Sequence, residues 1–155
     1  MNTLNKTILP IQKYKNRNWF IIDCNGQKLG RLATIVVRLL KGKQKPYYFP
    51  SIDIGDYVIL INAASIIINK KNKHYIVFKP GRPGHALKIK HAYDSLPKFT
   101  IERAIKGMLA PTEKKKLMRR LKIYNSQNHL HNAQNPIKID LSSFEPKIQS
   151  ENIFV

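Results

Sequence analysis

The spacing of apolar residues changes period at Leu29. Before it, Trp19, Phe20, Ile21 and Ile22 run consecutively as aromatic and β-branched residues, the pattern of a strand buried on both faces, and Asp23-Cys24-Asn25-Gly26 follows with turn chemistry. Beyond it, Leu29, Leu32, Ala33, Val36, Val37 and Leu40 fall on one helical face. Arg31, Thr34, Arg38 and Lys41 fall on another, and Gly42 stands where a helix stops. Strand, turn and helix make the first half of a βαβ unit, which sets a helix N-terminus at the C-terminal end of a strand. The unpaired amides and the dipole of such an end favour an anion.

Further along, Lys43–Pro50 interrupts helix with its prolines and sets a basic cluster before Tyr47, Tyr48 and Phe49. Aromatics beside basic residues can stack on unpaired bases, although three in a row leading into a strand more often pack a core. Ser51–Ala64 predicts a polar turn holding Asp53, Gly55 and Asp56, then a buried strand over Tyr57–Ile61 that ends at Asn62. Ile66–Ile68 and Tyr75–Phe78 are short apolar runs on either side of a basic loop, Asn69–Lys73. Lys79–Lys90, KPGRPGHALKIK, cannot be a regular helix or a central strand; it reads as a phosphate-clasping loop or, equally, as an exposed hairpin. From Asp94 the pattern is helical, with Pro97 in or just before the first turn and an apolar face of Leu96, Phe99, Ile101, Ala104, Ile105, Met108 and Leu109. Lys114–Lys122, KKKLMRRLK, predicts a further basic helix anchored by Leu117, Met118 and Leu121 and ended by Ile123-Tyr124. Asn125–Pro136 is polar and extended, and the tail from Ile137 is weakly patterned.

Charge changes this picture most. In 155 residues, 28 Lys and Arg face 9 Asp and Glu, a net +19 whose self-repulsion opposes compaction unless a polyanion offsets it. Nucleic acid is the first candidate partner. A membrane is the weaker one, because no stretch approaches the roughly 18 to 20 apolar residues that span a bilayer and the basic helix lacks interfacial aromatics. The first ten residues resemble neither a secretory signal nor a transit peptide, so the protein is expected to work where it is made. Heavy use of Ile, Lys and Asn points to an AT-rich coding genome. One cysteine, Cys24, leaves no internal disulfide framework and no Cys-rich zinc site, and it reads as structural.

Catalytic apparatus is not visible: there is no dinucleotide fingerprint, Walker loop, Ser–His–acid set or H-E-x-x-H. Asp53 and Asp56 flank a glycine, and turn capping with internal salt bridges explains them better than metal or acid–base chemistry. His74, His85 and His91 lack metal-ligand spacing. His129 and His131, two apart, suit contact with RNA or a neighbouring protein. Between Lys106 and Lys122 seven basic residues face one Glu, without the mixing of signs expected of a merely soluble surface. Lys114, Lys115, Lys116, Arg119, Arg120 and Lys122 are therefore candidates for phosphate contact. Lys13, Lys15 and Arg17 form an N-terminal arm that suits either phosphate contact or solvent.

A collinear set of residues from about Trp19 to about Pro136 carries a resemblance. It comprises Trp19 and Asp23; Leu29-Gly30-Arg31-Leu32-Ala33; Leu40-Lys41-Gly42-Lys43; Asp53, Gly55 and Asp56 with Asn62-Ala63; and Pro83-Gly84. Lys106-Gly107-Met108-Leu109, Leu121-Lys122-Ile123-Tyr124, His129, His131 and Ala133-Gln134 complete it. On these residues the chain resembles the universal large-subunit ribosomal protein thirteen family in its bacterial and plastid form. That resemblance implies a three-layer α/β/α fold on a small, mainly parallel sheet. It also implies a structural, non-catalytic role in binding large-subunit ribosomal RNA early in assembly, among neighbouring ribosomal proteins, on a plastid ribosome or otherwise in a bacterial cytoplasm. It implies RNA contact by Arg31, Lys41 and Lys43, by Lys79, Arg82 and Lys88, and by Lys106, Arg119, Arg120 and Lys122. No cofactor, metal, small-molecule substrate or membrane is expected. Ala110–Lys116, Leu130 between the histidines, and His85 depart from the family pattern. The expected organisation is a basic arm over 1–18, a single RNA-binding domain over 19–140 and an extension over 141–155. A nucleotide-using α/β enzyme, motivated by Gly26 and Gly30, and a ribosome-free regulatory RNA binder are the alternatives.

Overall fold

A computed structural model describes residues 17–68, 74–78, 80–81, 84, 87–91 and 95–141. In chain order they form β1 (Trp19–Asp23), α1 (Leu29–Lys41), β2 (Tyr57–Ile61), β3 (His74–Phe78), β4 (Leu87–His91), α2 (Pro97–Met108), α3 (Pro111–Met118), β5 (Leu121–Ile123) and β6 (Ile137–Lys138). Asp23 closes β1 by accepting the Asn25 amide at 2.9 Å, and Gly26 turns the chain at φ 68°. At the far end of α1, Gly42 adopts φ 72°, its amide donates to the Leu39 carbonyl at 3.0 Å and the Lys43 amide to that of Arg38 at 3.0 Å. This is the paired closure expected of a helix ended by glycine.

The strands run in the order β5-β2-β1-β6, and each neighbouring pair is parallel. β1 aligns with β2 from Trp19 opposite Tyr57 to Asp23 opposite Ile61, so α1 is the crossover of a complete βαβ unit. As the more enclosed strand, β2 has Val58 to Ile61 all buried. Pleat alternation sorts the side chains. Ile22, Val58, Leu60, Leu121 and Ile123 join Leu29, Leu32, Ala33, Val36, Leu39 and Leu40 of α1, Ile101 and Ile105 of α2 and Leu117 of α3 in one apolar cluster. On the other pleat Trp19 and Tyr57 stack at 4.3 Å, with His131 at 5.2 Å from the Trp19 ring, so irregular chain beyond β5 covers part of that face. The α/β class is as expected; α1, α2 and α3 all feed that one cluster, so among the described residues they cover one face of the sheet.

Gly55 sets how α1 returns to the sheet. A Cβ there would lie 1.7 Å from the Leu40 carbonyl oxygen, and the next amide, of Asp56, donates to the Leu39 carbonyl at 3.3 Å. The loop before β2 thus lies directly against the C-terminal carbonyls of α1.

Several expectations need correction. The second basic helix stops at Met118, and Leu121–Ile123 is a strand. Leu117 and Leu121 share helical spacing, but the free edge of β2 captures the chain: the Val58 amide donates to the Arg120 carbonyl at 3.1 Å and the Tyr124 amide to that of Leu60 at 2.8 Å. On α2, Ile101 and Ile105 are buried whereas Leu96, Phe99 and Met108 are 61%, 58% and 46% exposed, so the apolar face is narrower than its pattern. Leu87–Lys90 belongs to β4, which pairs antiparallel with β3, and Gly81 and Gly84 adopt φ 82° and 81°. Asn69–Lys73, Lys79, Arg82, Pro83 and His85 lie outside the described residues. Ile137–Lys138 pairs with β1 and Leu141 is buried, so the chain remains attached to the domain past Pro136.

Gly55→Ala should lower Tm by on the order of 10 °C or prevent soluble expression, because the added methyl collides with backbone rather than with a movable side chain. Gly30→Ala, where a Cβ would meet nothing within 4 Å, should hold or raise Tm. Calorimetry of both variants checks this; a Gly55→Ala protein melting within a few degrees of wild type would refute the packing constraint.

Candidate nucleic-acid interface

The acidic residues near β2 face inward. Asp53 accepts from both terminal nitrogens of Arg120, Nη1 on Oδ1 at 2.6 Å and Nη2 on Oδ2, and Lys116 Nζ lies 2.8 Å and Arg17 3.5 Å from its Oδ2. Burial by itself would raise its pKa, but hydrogen bonds and charge from Arg120 and Lys116 outweigh that and hold the carboxyl well below the usual carboxylate range. Asp56 is fully buried and accepts from Lys45 Nζ at 2.6 Å, Gln44 Nε2 at 2.9 Å and the Asn18 amide at 2.9 Å. The expected internal salt bridges are present, and they hold Arg17–Asn18, the end of α1 and the α3–β5 turn together.

Arg120 is accordingly a correction to the predicted contact set. It is 5% exposed, bonded to Asp53 and to the Gly55 carbonyl at 3.3 Å, and has no surface to offer a phosphate. Its neighbour Arg119 is exposed at the end of α3. Arg31 is exposed near the start of α1, Lys43 just past the Gly42 cap, Lys106 in the last turn of α2, and Lys115 and Lys116 on α3. Lys114 and Lys122 are half-buried. Lys41 is also half-buried, 3.7 Å from Glu113, and with Lys116 it borders one cleft between the end of α1 and α3. Arg31 sits ten residues before Lys41, about 15 Å away along the helix. Lys88 lies on β4 opposite Val77.

His129 and His131 are half-buried beside aromatic rings. Tyr124 has its centroid 6.4 Å from that of His129 and 6.0 Å from that of His131, and the His131 amide donates to His129 Nδ1 at 3.2 Å. Part of each imidazole is thus engaged within the fold. Among the described residues no three His, Cys, Asp or Glu side chains are placed to hold a metal ion, and no helix is long and apolar enough to cross a membrane. Burial, with the Asp23 charge adding, pushes the Cys24 thiol up to about 12, so it is not a nucleophile at neutral pH. At the start of α1, which the sequence marked as an anion site, the Leu29 amide already donates to the Ile67 carbonyl at 3.2 Å.

Residues 17–130 match the ribosomal protein L13 family, a span of well over half the chain. The chain belongs to that family. It is 49% identical over 138 residues to large ribosomal subunit protein uL13c of Trieres chinensis, covering 88% of this chain and 98% of that protein. To uL13 of Synechococcus elongatus it is 40% identical over 147 residues, covering 91% and 97%. To uL13 of a Thermoanaerobacter species the figures are 40% over 130 residues, covering 81% and 91%. In this L13-family chain Asp53, Gly55 and Asp56 together lock the return from α1 to β2.

Sequence reasoning left Lys28, Arg38 and Lys98 out of the candidate set, although all three are exposed. For Arg38 a signal existed, because it lies seven residues after Arg31 on the same helical stripe.

Arg120→Ala should cost about 3 kcal/mol or more by leaving Asp53 unpaired, whereas Arg119→Ala should change stability by less than about 0.5 kcal/mol; urea unfolding separates them. Asp53 is depressed in the folded state, so its stabilisation is present above its unfolded pKa and lost as pH falls below about 4. The stability gap between wild type and Asp53→Asn should therefore be widest near neutrality and narrow from about pH 5 to pH 2. A gap independent of pH would count against this ion pair as its origin.

Proposed function

We propose that this chain is a structural constituent of the large ribosomal subunit that binds ribosomal RNA and supports early subunit assembly and translation. Membership of the L13 family carries this reading. The disposition of charge supports it, because Asp53 and Asp56 spend their charge on internal partners while Arg31, Lys43, Lys106, Lys115 and Arg119 face solvent. We assign RNA contact to these five, to Lys116, exposed although paired with Asp53, and to Lys41, Lys114 and Lys122 at half-buried positions. Lys88 of β4 extends the set, with Lys79 and Arg82, which lie outside the described residues. Such a polymer offsets a +19 chain without a pocket or catalytic group.

Neighbouring ribosomal proteins are further partners in this reading. Ile76 and Phe78 of β3 lie opposite Ile89 and Leu87 of β4, and all four are exposed, which leaves one apolar hairpin face for a protein surface to cover. We place the protein on a plastid ribosome, or otherwise in a bacterial cytoplasm, on the likeness to uL13c of Trieres chinensis and to uL13 of Synechococcus elongatus.

Affinity for large-subunit ribosomal RNA should fall with salt by about 0.7 to 0.9 log units per log unit for each phosphate neutralised, and Arg119→Ala should reduce that slope by about 1. In cell extracts the protein should sediment with the large subunit. A flat salt response, or a pool mainly free of ribosomes, would overturn the assignment, the latter in favour of a regulatory RNA binder.

A further inference from the structure

We propose that the cleft between the end of α1, the 48–53 segment and α3 takes one unpaired nucleotide of the RNA. Its base would lie against Tyr48 and point an amino edge at Glu113. This rests on the RNA-binding reading above and names a site within it.

The cleft has a volume of about 190 Å³. That is smaller than the roughly 300 to 1,000 Å³ of sites for drug-sized ligands, and it limits the occupant to a single ring system. Tyr48, Pro50 and Leu117 supply ring and aliphatic walls, the surfaces on which unpaired bases stack. Lys41 and Lys116 also line it, with ammonium groups for the flanking phosphates. The two carboxylates differ. Asp53 is saturated by Arg120, Lys116 and Arg17. The Glu113 side chain is 48% exposed, and its contact with Lys41 at 3.7 Å is too long for a strong hydrogen bond and leaves its lone pairs open. A carboxylate repels a phosphate drawn into the cleft, but it accepts hydrogen bonds from the amino groups of cytosine, adenine or guanine. An aromatic wall, two cations and an open acceptor lining one cleft select a base that presents an amino group, with its phosphates on the lysines.

Glu113→Ala separates this from simple electrostatics. Deleting a negative charge from a cationic surface, and freeing Lys41, would tighten RNA binding if Glu113 only repelled phosphate. A base contact makes the same substitution weaken binding to in vitro transcribed large-subunit RNA by about tenfold. Tyr48→Ala should weaken it by a similar factor and Tyr48→Phe should restore it. Ultraviolet crosslinking of the wild-type complex followed by mass spectrometry should find a mononucleotide adduct of A, C or G on the peptide containing Tyr48. Tighter or unchanged binding by Glu113→Ala together with no adduct there overturns the cleft assignment, even if Tyr48→Ala fails to fold. Wild-type protein lacking salt-dependent binding to that RNA overturns the ribosomal reading as well, whereas normal wild-type binding with silent variants overturns the cleft alone.

Discussion

The pairing of Arg120 with Asp53 is the interaction on which the rest of the structure depends. Its partners are 67 residues apart in sequence, one in the turn between α3 and β5 and the other in the loop before β2. A guanidinium 5% exposed is costly to desolvate, and it is tolerable only because the carboxylate and the Gly55 carbonyl meet its donors together. Gly55 makes that geometry attainable, since only a residue without Cβ lets the loop lie on the Leu40 carbonyl. With the loop so placed, β2 starts in register with β1 and offers its other edge to β5.

That arrangement also sorts charge by sign. Acidic side chains near the sheet are drawn inward to partners: Asp56 to Lys45, Asp53 to Arg120 and Lys116. Basic residues in the last turns, Arg38 and Lys41 in α1, Lys106 in α2 and Lys115 and Lys116 in α3, also complement the negative pole of their helices. Arg120 and Lys45 thus serve the fold from covered positions, Lys116 pairs with Asp53 while staying exposed, and Arg119 and Lys115 face solvent. Adjacent residues take opposite parts: Arg120 holds the domain together and Arg119 faces outward.

The apolar surface divides in a similar way. α1 buries nearly all of its apolar face against β1, β2 and α2, while the hairpin of β3 and β4 exposes paired Ile76 and Ile89, and Phe78 and Leu87. A two-stranded ribbon has no second layer of its own to cover that face.

Local periodicity was enough to locate β1, α1 with its Gly42 stop, β2 over Tyr57–Ile61 and the Pro97 start of α2, because each is written in residues close together in sequence. The turn chemistry around Asp53 and Asp56, and a net basic surface, were legible for the same reason. The division between Arg119 and Arg120, or between exposed Lys43 and inward Lys45, was not. Those pairs are chemically alike, and which member is buried depends on a carboxylate 67 residues away for Arg120 and 11 away for Lys45. Nor could spacing separate α3 from β5, since Leu117 and Leu121 fit a helix as well as a helix followed by a strand. Sequence alone determined the α/β class and pointed to a polyanionic partner. Tertiary structure decided which cations are buried and which face solvent, because burying a charge requires a counter-charge that only the folded chain brings within reach.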